Sequence, residues 1–107
     1  MAVISVPGQA PLRLRKHTMR ELCTRANTLL TADADKYVLD QATALESLYF
    51  DTLPGDQRKR IAAALMSAAD AYRAELLALP EEDADERSRA EVLGELSLSL
   101  QELATTA

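Results

Sequence analysis

From His17 onward the apolar positions recur at helical intervals. Met19, Leu22, Cys23, Ala26, Leu29 and Leu30 follow an i, i+3, i+4, i+7, i+10, i+11 spacing that places them on one stripe of a first helix. Glu21 and Arg25 stand four apart on its outer side, in the favourable order for an exposed pair. The Thr31 to Asp35 stretch offers capping oxygens, with Asp33 the preferred cap of a second helix. That helix is predicted over about 34–52, with Val38, Ala42, Leu45, Leu48 and Tyr49 toward one side and Leu39 and Phe50 turned about 100° away. Pro54 suits the first turn of a third helix, about 54–78, where its missing N–H costs no helical bond, and Asp56 suits the positive end of the helix dipole. Its stripe is Ile61, Leu65, Ala68, Tyr72, Leu76 and Leu79, widened by alanines that let neighbours approach, so it is expected at the centre. Pro80 stops it, the acids Glu81, Glu82, Asp83, Asp85 and Glu86 crowd the start of a fourth, and Leu93, Leu96, Leu100 and Leu103 repeat in steps of three and four to about residue 103.

Residues 1–15 break this period. Ile4 and Val6 flank Ser5, Pro7 and Gly8 punctuate, and Leu12 and Leu14 alternate with Arg13 and Arg15, a period of two that argues extended chain. A short hairpin, an arm on another subunit and a frayed tail all fit. The expected architecture is therefore all-α: a small antiparallel bundle of about four helices over 16–107, preceded by a short extended or flexible N-terminal arm over 1–15.

Composition sharpens this. Leu and Ala supply most of the apolar residues and Val and Ile few, which favours helix over sheet. A chain of 107 residues suffices for one core without disulfide or metal. The single cysteine, Cys23, has no internal partner and reads as a buried structural thiol in a reducing, cytoplasmic setting. No apolar run approaches the roughly 20 residues of a membrane span, and the N-terminal segment does not read as an export signal, so no membrane association is expected.

Charge is unevenly placed. The net value is −5, yet residues 1–30 carry five Lys/Arg against one acid, while the remainder is strongly acidic. Arg13, Arg15, Lys16, His17 and Arg20 form a candidate basic patch able to contact phosphates. Against nucleic acid stand the lack of interleaved aromatic residues and the acidic body. A second run, Arg58, Lys59 and Arg60, is expected to be solvated or to pair with acids across the bundle.

The inventory for chemistry is short. One His and one Cys, six residues apart on a helix, diverge by about 240° and cannot share a metal. Asp33 with Asp35 and Asp83 with Asp85 lack the rest of a calcium loop and read as capping acids. Gly8, Gly55 and Gly94 are too scattered for a phosphate-binding loop. Tyr49 and Tyr72 read as core with the hydroxyl at the edge.

No catalytic residue, cofactor or metal is expected. The reading that follows is a non-enzymatic α-helical interaction or regulatory module, binding a protein partner or itself as a homodimer. Its candidate surface is the apolar set left over from the core: Ile4, Val6, Leu12, Leu14, Leu39, Phe50 and Leu98. A nucleic-acid-associated regulator using the basic segment is the alternative, and a small-molecule-binding bundle or enzyme has the least support.

Overall fold

The computed structural model describes residues 2–79 and 84–105. It is mostly helical, with a small three-stranded sheet built around the N-terminal segment. In chain order the elements are β1 (Ala2–Ser5), β2 (Leu12–Leu14), α1 (Lys16–Asn27), α2 (Asp33–Leu45), β3 (Ser47–Tyr49), a single 3-10 turn (Phe50–Thr52), α3 (Gly55–Leu77) and α4 (Ala84–Thr105). Pro80, Glu81, Glu82 and Asp83, expected between the last two helices, lie outside the described residues, as do the side chains of Asp85 and Glu86.

The sheet corrects the all-α expectation. Its order is β2-β1-β3. β1 and β2 pair antiparallel, Val3 opposite Arg13 and Ile4 opposite Leu12. The hairpin opens with a type II turn in which Pro7 supplies the fixed φ, Gly8 takes the positive φ of 80° and Gln9 N–H donates to Val6 O at 3.1 Å. Ala2, Ile4, Val6 and Leu14 are buried and Leu12 half-buried, so the alternation seen in the sequence faces this chain's own core.

β3 joins the other edge of β1 in parallel, with Ile4 opposite Leu48. This cuts the second helix short at Leu45 instead of 52. Glu46 adopts a left-handed φ of 58°, an uncommon choice for a non-glycine residue, and its carbonyl accepts from Val3 N–H at 3.0 Å. Once the chain is extended, Leu48 and Phe50 point inward and Tyr49 outward. The buried face of α2 is accordingly Asp35, Leu39 and Ala42, whereas Leu45 and Tyr49, predicted inward, are exposed. Asp33 begins the helix instead of capping it; Ala32 holds the cap position without a side-chain bond.

The other helices keep the predicted stripes. Met19, Leu22, Cys23 and Ala26 are buried on α1, though Leu29 beyond it is exposed. α3 buries Ile61, Leu65, Ala68, Tyr72 and Leu76 and packs against α1, α2 and, most extensively, α4; Leu79, predicted on its stripe, is exposed. Pro54 stands just before α3 as its cap, with Arg58 N–H donating to its carbonyl at 2.8 Å. Leu93, Leu96 and Leu100 of α4 are fully buried, each worth about 1.5–3 kcal/mol of transfer free energy.

Candidate functional site

The apolar candidates separate sharply. Ile4, Val6, Leu14, Leu39 and Phe50, expected to be left over for a partner, are buried in the chain's own core because the sheet and the shortened α2 consume them. Leu12 is half-buried against the same core. Leu98 alone of that set stands out in solvent, at 72% exposure on α4. Tyr37 and Leu77, which no periodicity singled out, are also exposed, as are Leu45 and Tyr49, which the helical spacing had placed inward.

The basic candidates are all exposed. Arg13 sits mid-strand in β2 between inward-facing Leu12 and Leu14, Arg15 immediately precedes α1, and Lys16, His17 and Arg20 follow on its first turns. Lys16 Nζ lies 3.3 Å from Glu46 Oε1, tying the start of α1 to the end of α2. Arg13, Arg15 and Thr18 line a hollow of about 170 Å³ whose opposite wall is α4, through Ser88, Arg89 and Val92. Arg89 also donates to Tyr72 Oη at 3.3 Å, which fixes its stem against α3.

Two features of this hollow stand out. Arg15 holds the N-cap position of α1 without a side-chain cap bond, and the first turn contains no acid to balance the helix dipole. Thr18 is buried at 2% exposure, and its Oγ1 has no hydrogen-bond partner among the described residues. Sequence reasoning found the cations of β2 and α1 because they are contiguous. It missed Ser88 and Arg89, which arrive from the far end of the chain, and Thr18, which looks like an ordinary helix residue.

Several other charges are spent internally. Arg58 donates to the carbonyls of Phe50 at 2.9 Å and Leu53 at 3.0 Å, closing the 3-10 turn. Arg60 binds Asp35 across to α2, with Nε 2.7 Å from Oδ2 and Nη2 3.1 Å from Oδ1, while Gln57 Nε2 donates to Oδ1 at 3.1 Å. Arg60 holds the Asp35 carboxyl below its usual range; burial opposes the shift and Gln57 adds to it. Arg25 bridges Glu21 at 2.9 Å and Glu75 while stacking 4.9 Å from the centre of the Tyr72 ring.

Cys23 is buried, and that burial pushes its thiol pKa up, away from the reactive thiolate; His17 is exposed. Among the described residues no group of three His, Cys, Asp or Glu side chains could hold a metal ion. No helix among them is long and apolar enough to cross a membrane. Comparison with known proteins adds no analogy: no family model, no curated protein and no solved structure matches this chain.

Proposed function

We propose that this chain is a non-enzymatic helical interaction module, regulatory in character, that engages an anionic segment of a protein partner through the basic face at the start of α1. The observation that carries the reading is the convergence of Arg13 from β2, Arg15 from the α1 junction and Arg89 from α4 on one hollow, in a chain of net charge −5. A compact cationic face on an acidic body attracts a short acidic segment and repels an extended duplex. The register of Tyr72 with Arg89 supports α3 and α4 running antiparallel, which makes a rigid support for that face. A reducing, cytoplasmic setting belongs to the proposal and is supported by the buried free thiol of Cys23.

Fluorescence anisotropy tests it with a labelled oligo-glutamate peptide and a DNA duplex of equal charge, each at low and physiological salt. Tighter binding of the peptide, weakened by salt and by Arg13→Ala with Arg20→Ala, is the expected result. Tighter binding of the duplex would favour the nucleic-acid alternative, and binding of neither at low salt would overturn the reading.

Self-association is the second reading, supported by Leu98. It lies beside a shallow hollow lined by Asp70, Arg73, Glu91 and Glu95, a mixed-sign rim suited to a two-fold contact. Light scattering of the wild type and Leu98→Asp at high concentration decides it: a dimer that dissociates in the variant supports it, and a wild-type monomer removes it.

A further inference from the structure

We infer that the free edge of β3 pairs with the same edge of a second copy of this chain, antiparallel about a two-fold axis at Leu48. The inference goes beyond the acidic-segment reading, concerns another face, and differs from a contact at Leu98.

The main chain defines the seam. Val3 N–H donates to Glu46 O at 3.0 Å while Val3 stands opposite Ser47, so Glu46 and Leu48 turn their main-chain groups toward β1. Ser47 and Tyr49 alternate with them and turn theirs away. The sheet order places no strand on that side, and among the described residues no backbone bond from outside the sheet reaches either residue. Tyr49 O accepts from Thr52 Oγ1 at 2.8 Å and keeps a second lone pair. An open row of this kind is completed by another extended chain.

The two edges of the sheet differ. β2 carries exposed Arg13 at its centre, and a two-fold contact there would set one guanidinium against its copy. β3 consists of Ser47, Leu48 and Tyr49, with no charge and no proline, and its register with β1 runs without a bulge. These are the devices by which edges are normally guarded. Leu45 and Tyr49 stand beside the open main chain at 69% and 49% exposure, so apolar surface adjoins it.

A second copy matches this edge in both geometry and charge. About an axis at Leu48, Ser47 of each copy lies opposite Tyr49 of the other, and each such pair exchanges two N–H···O bonds. The result is one continuous sheet of two three-stranded halves. Glu46, with Lys16 at 3.3 Å, marks one end of β3; beyond the other stand Asp51 and Arg58, whose guanidinium donates to Phe50 O at 2.9 Å. Antiparallel pairing sets the Glu46 end against the Arg58 end. The seam is thus neutral in a chain of net charge −5, and a strongly charged segment finds no counter-charge along it. Three paired residues with Leu45 and Tyr49 fall short of the roughly 800 Å² per partner of a stable complex, so the pair exchanges with monomer.

The test is sedimentation equilibrium of the full chain from micromolar to millimolar concentration, with amide hydrogen exchange at both ends of that range. The average mass should rise toward the dimer. The Ser47 and Tyr49 amides should gain protection with concentration, while the Leu48 amide, bonded within the sheet, is protected throughout. Ser47→Lys with Tyr49→Lys sets like charges opposite each other twice and should weaken association roughly tenfold, with the melt of the dilute chain unchanged. Ser47→Lys with Tyr49→Glu sets opposite charges there and should restore it.

A monomer at every concentration, which would leave the edge to a different chain, overturns the inference. So does a dimer in which the Ser47 and Tyr49 amides exchange as they do in the monomer, or one that the paired lysine substitutions leave intact. If those variants do not fold, exchange in the wild type decides. Oligo-glutamate binding at the start of α1 should be equal in both β3 variants, so the basic-face reading and this seam stand or fall separately.

Discussion

Asp35 and Thr18 are buried polar side chains, each the third residue of its helix, and the chain treats them in opposite ways. Asp35, 1% exposed on α2, receives three hydrogen bonds from Arg60 and Gln57 of α3, so the cost of burying a carboxylate is offset inside the fold. Thr18, at the start of α1, has no hydrogen-bond partner for its hydroxyl among the described residues. A closed polar network locks one helix to another. A hydroxyl buried without such a partner carries its burial cost with nothing to offset it.

The contrast can be broken at either end. The largest effect is expected from Asp35→Ala, which leaves the Gln57 donor and the Arg60 guanidinium without their acceptor. Unfolding in urea should show a loss of about 1–3 kcal/mol, kept at the lower end because the Arg60 side chain is 52% exposed and screened. A loss below the error of the measurement would mean the pair is incidental.

The same network sets an acid limb. Since Arg60 lowers the Asp35 pKa in the folded chain, the unfolded chain takes up the proton first on acidification. The stabilisation is thus complete above the unfolded value near 4 and is lost as pH falls through the lower folded value. The stability difference between wild type and Asp35→Asn, followed by urea unfolding from pH 7 to 2.5, should shrink across that window. Glu75, held low by Arg25 in the same direction, is too exposed to dominate it.

Thr18→Val should act in the opposite sense in the absence of ligand, leaving stability unchanged or raising it by up to about 1 kcal/mol, read from the thermal midpoint. A loss larger than that would show that its hydroxyl serves the fold. Leu98→Asp is the exposed control: a new charge at a solvated position should change monomer stability by less than about 0.5 kcal/mol.

The parts of the fold that could be read from the sequence are those where one long element carries its own signal. α3 and α4 repeat their stripes over 23 and 22 residues, enough turns for the period to identify the buried face. Residues 47–49 fit the helical spacing equally well, and only the edge of β1, more than forty residues earlier, draws them into a sheet. That pairing turned Tyr49 outward and Leu48 inward ahead of buried Phe50, while α2 buried Leu39 and exposed Leu45, reversing the expected partner surface. The basic patch was visible because Arg13 to Arg20 are contiguous. Its other wall was not, since Ser88 and Arg89 enter through tertiary packing, and nothing local distinguishes Thr18 from the back-bonded Thr43.

The central claim is that the start of α1 and its α4 wall are the binding face. Amide chemical-shift mapping of the full chain, titrated with an anionic ligand at constant ionic strength, tests it most directly. The account predicts saturable shifts gathered at 13–19 and 88–92, with Arg58 and Arg60 unmoved because their side chains are engaged within the fold. Shifts spread evenly over all exposed cations, or centred on Leu98 and the outer face of α4, would contradict it.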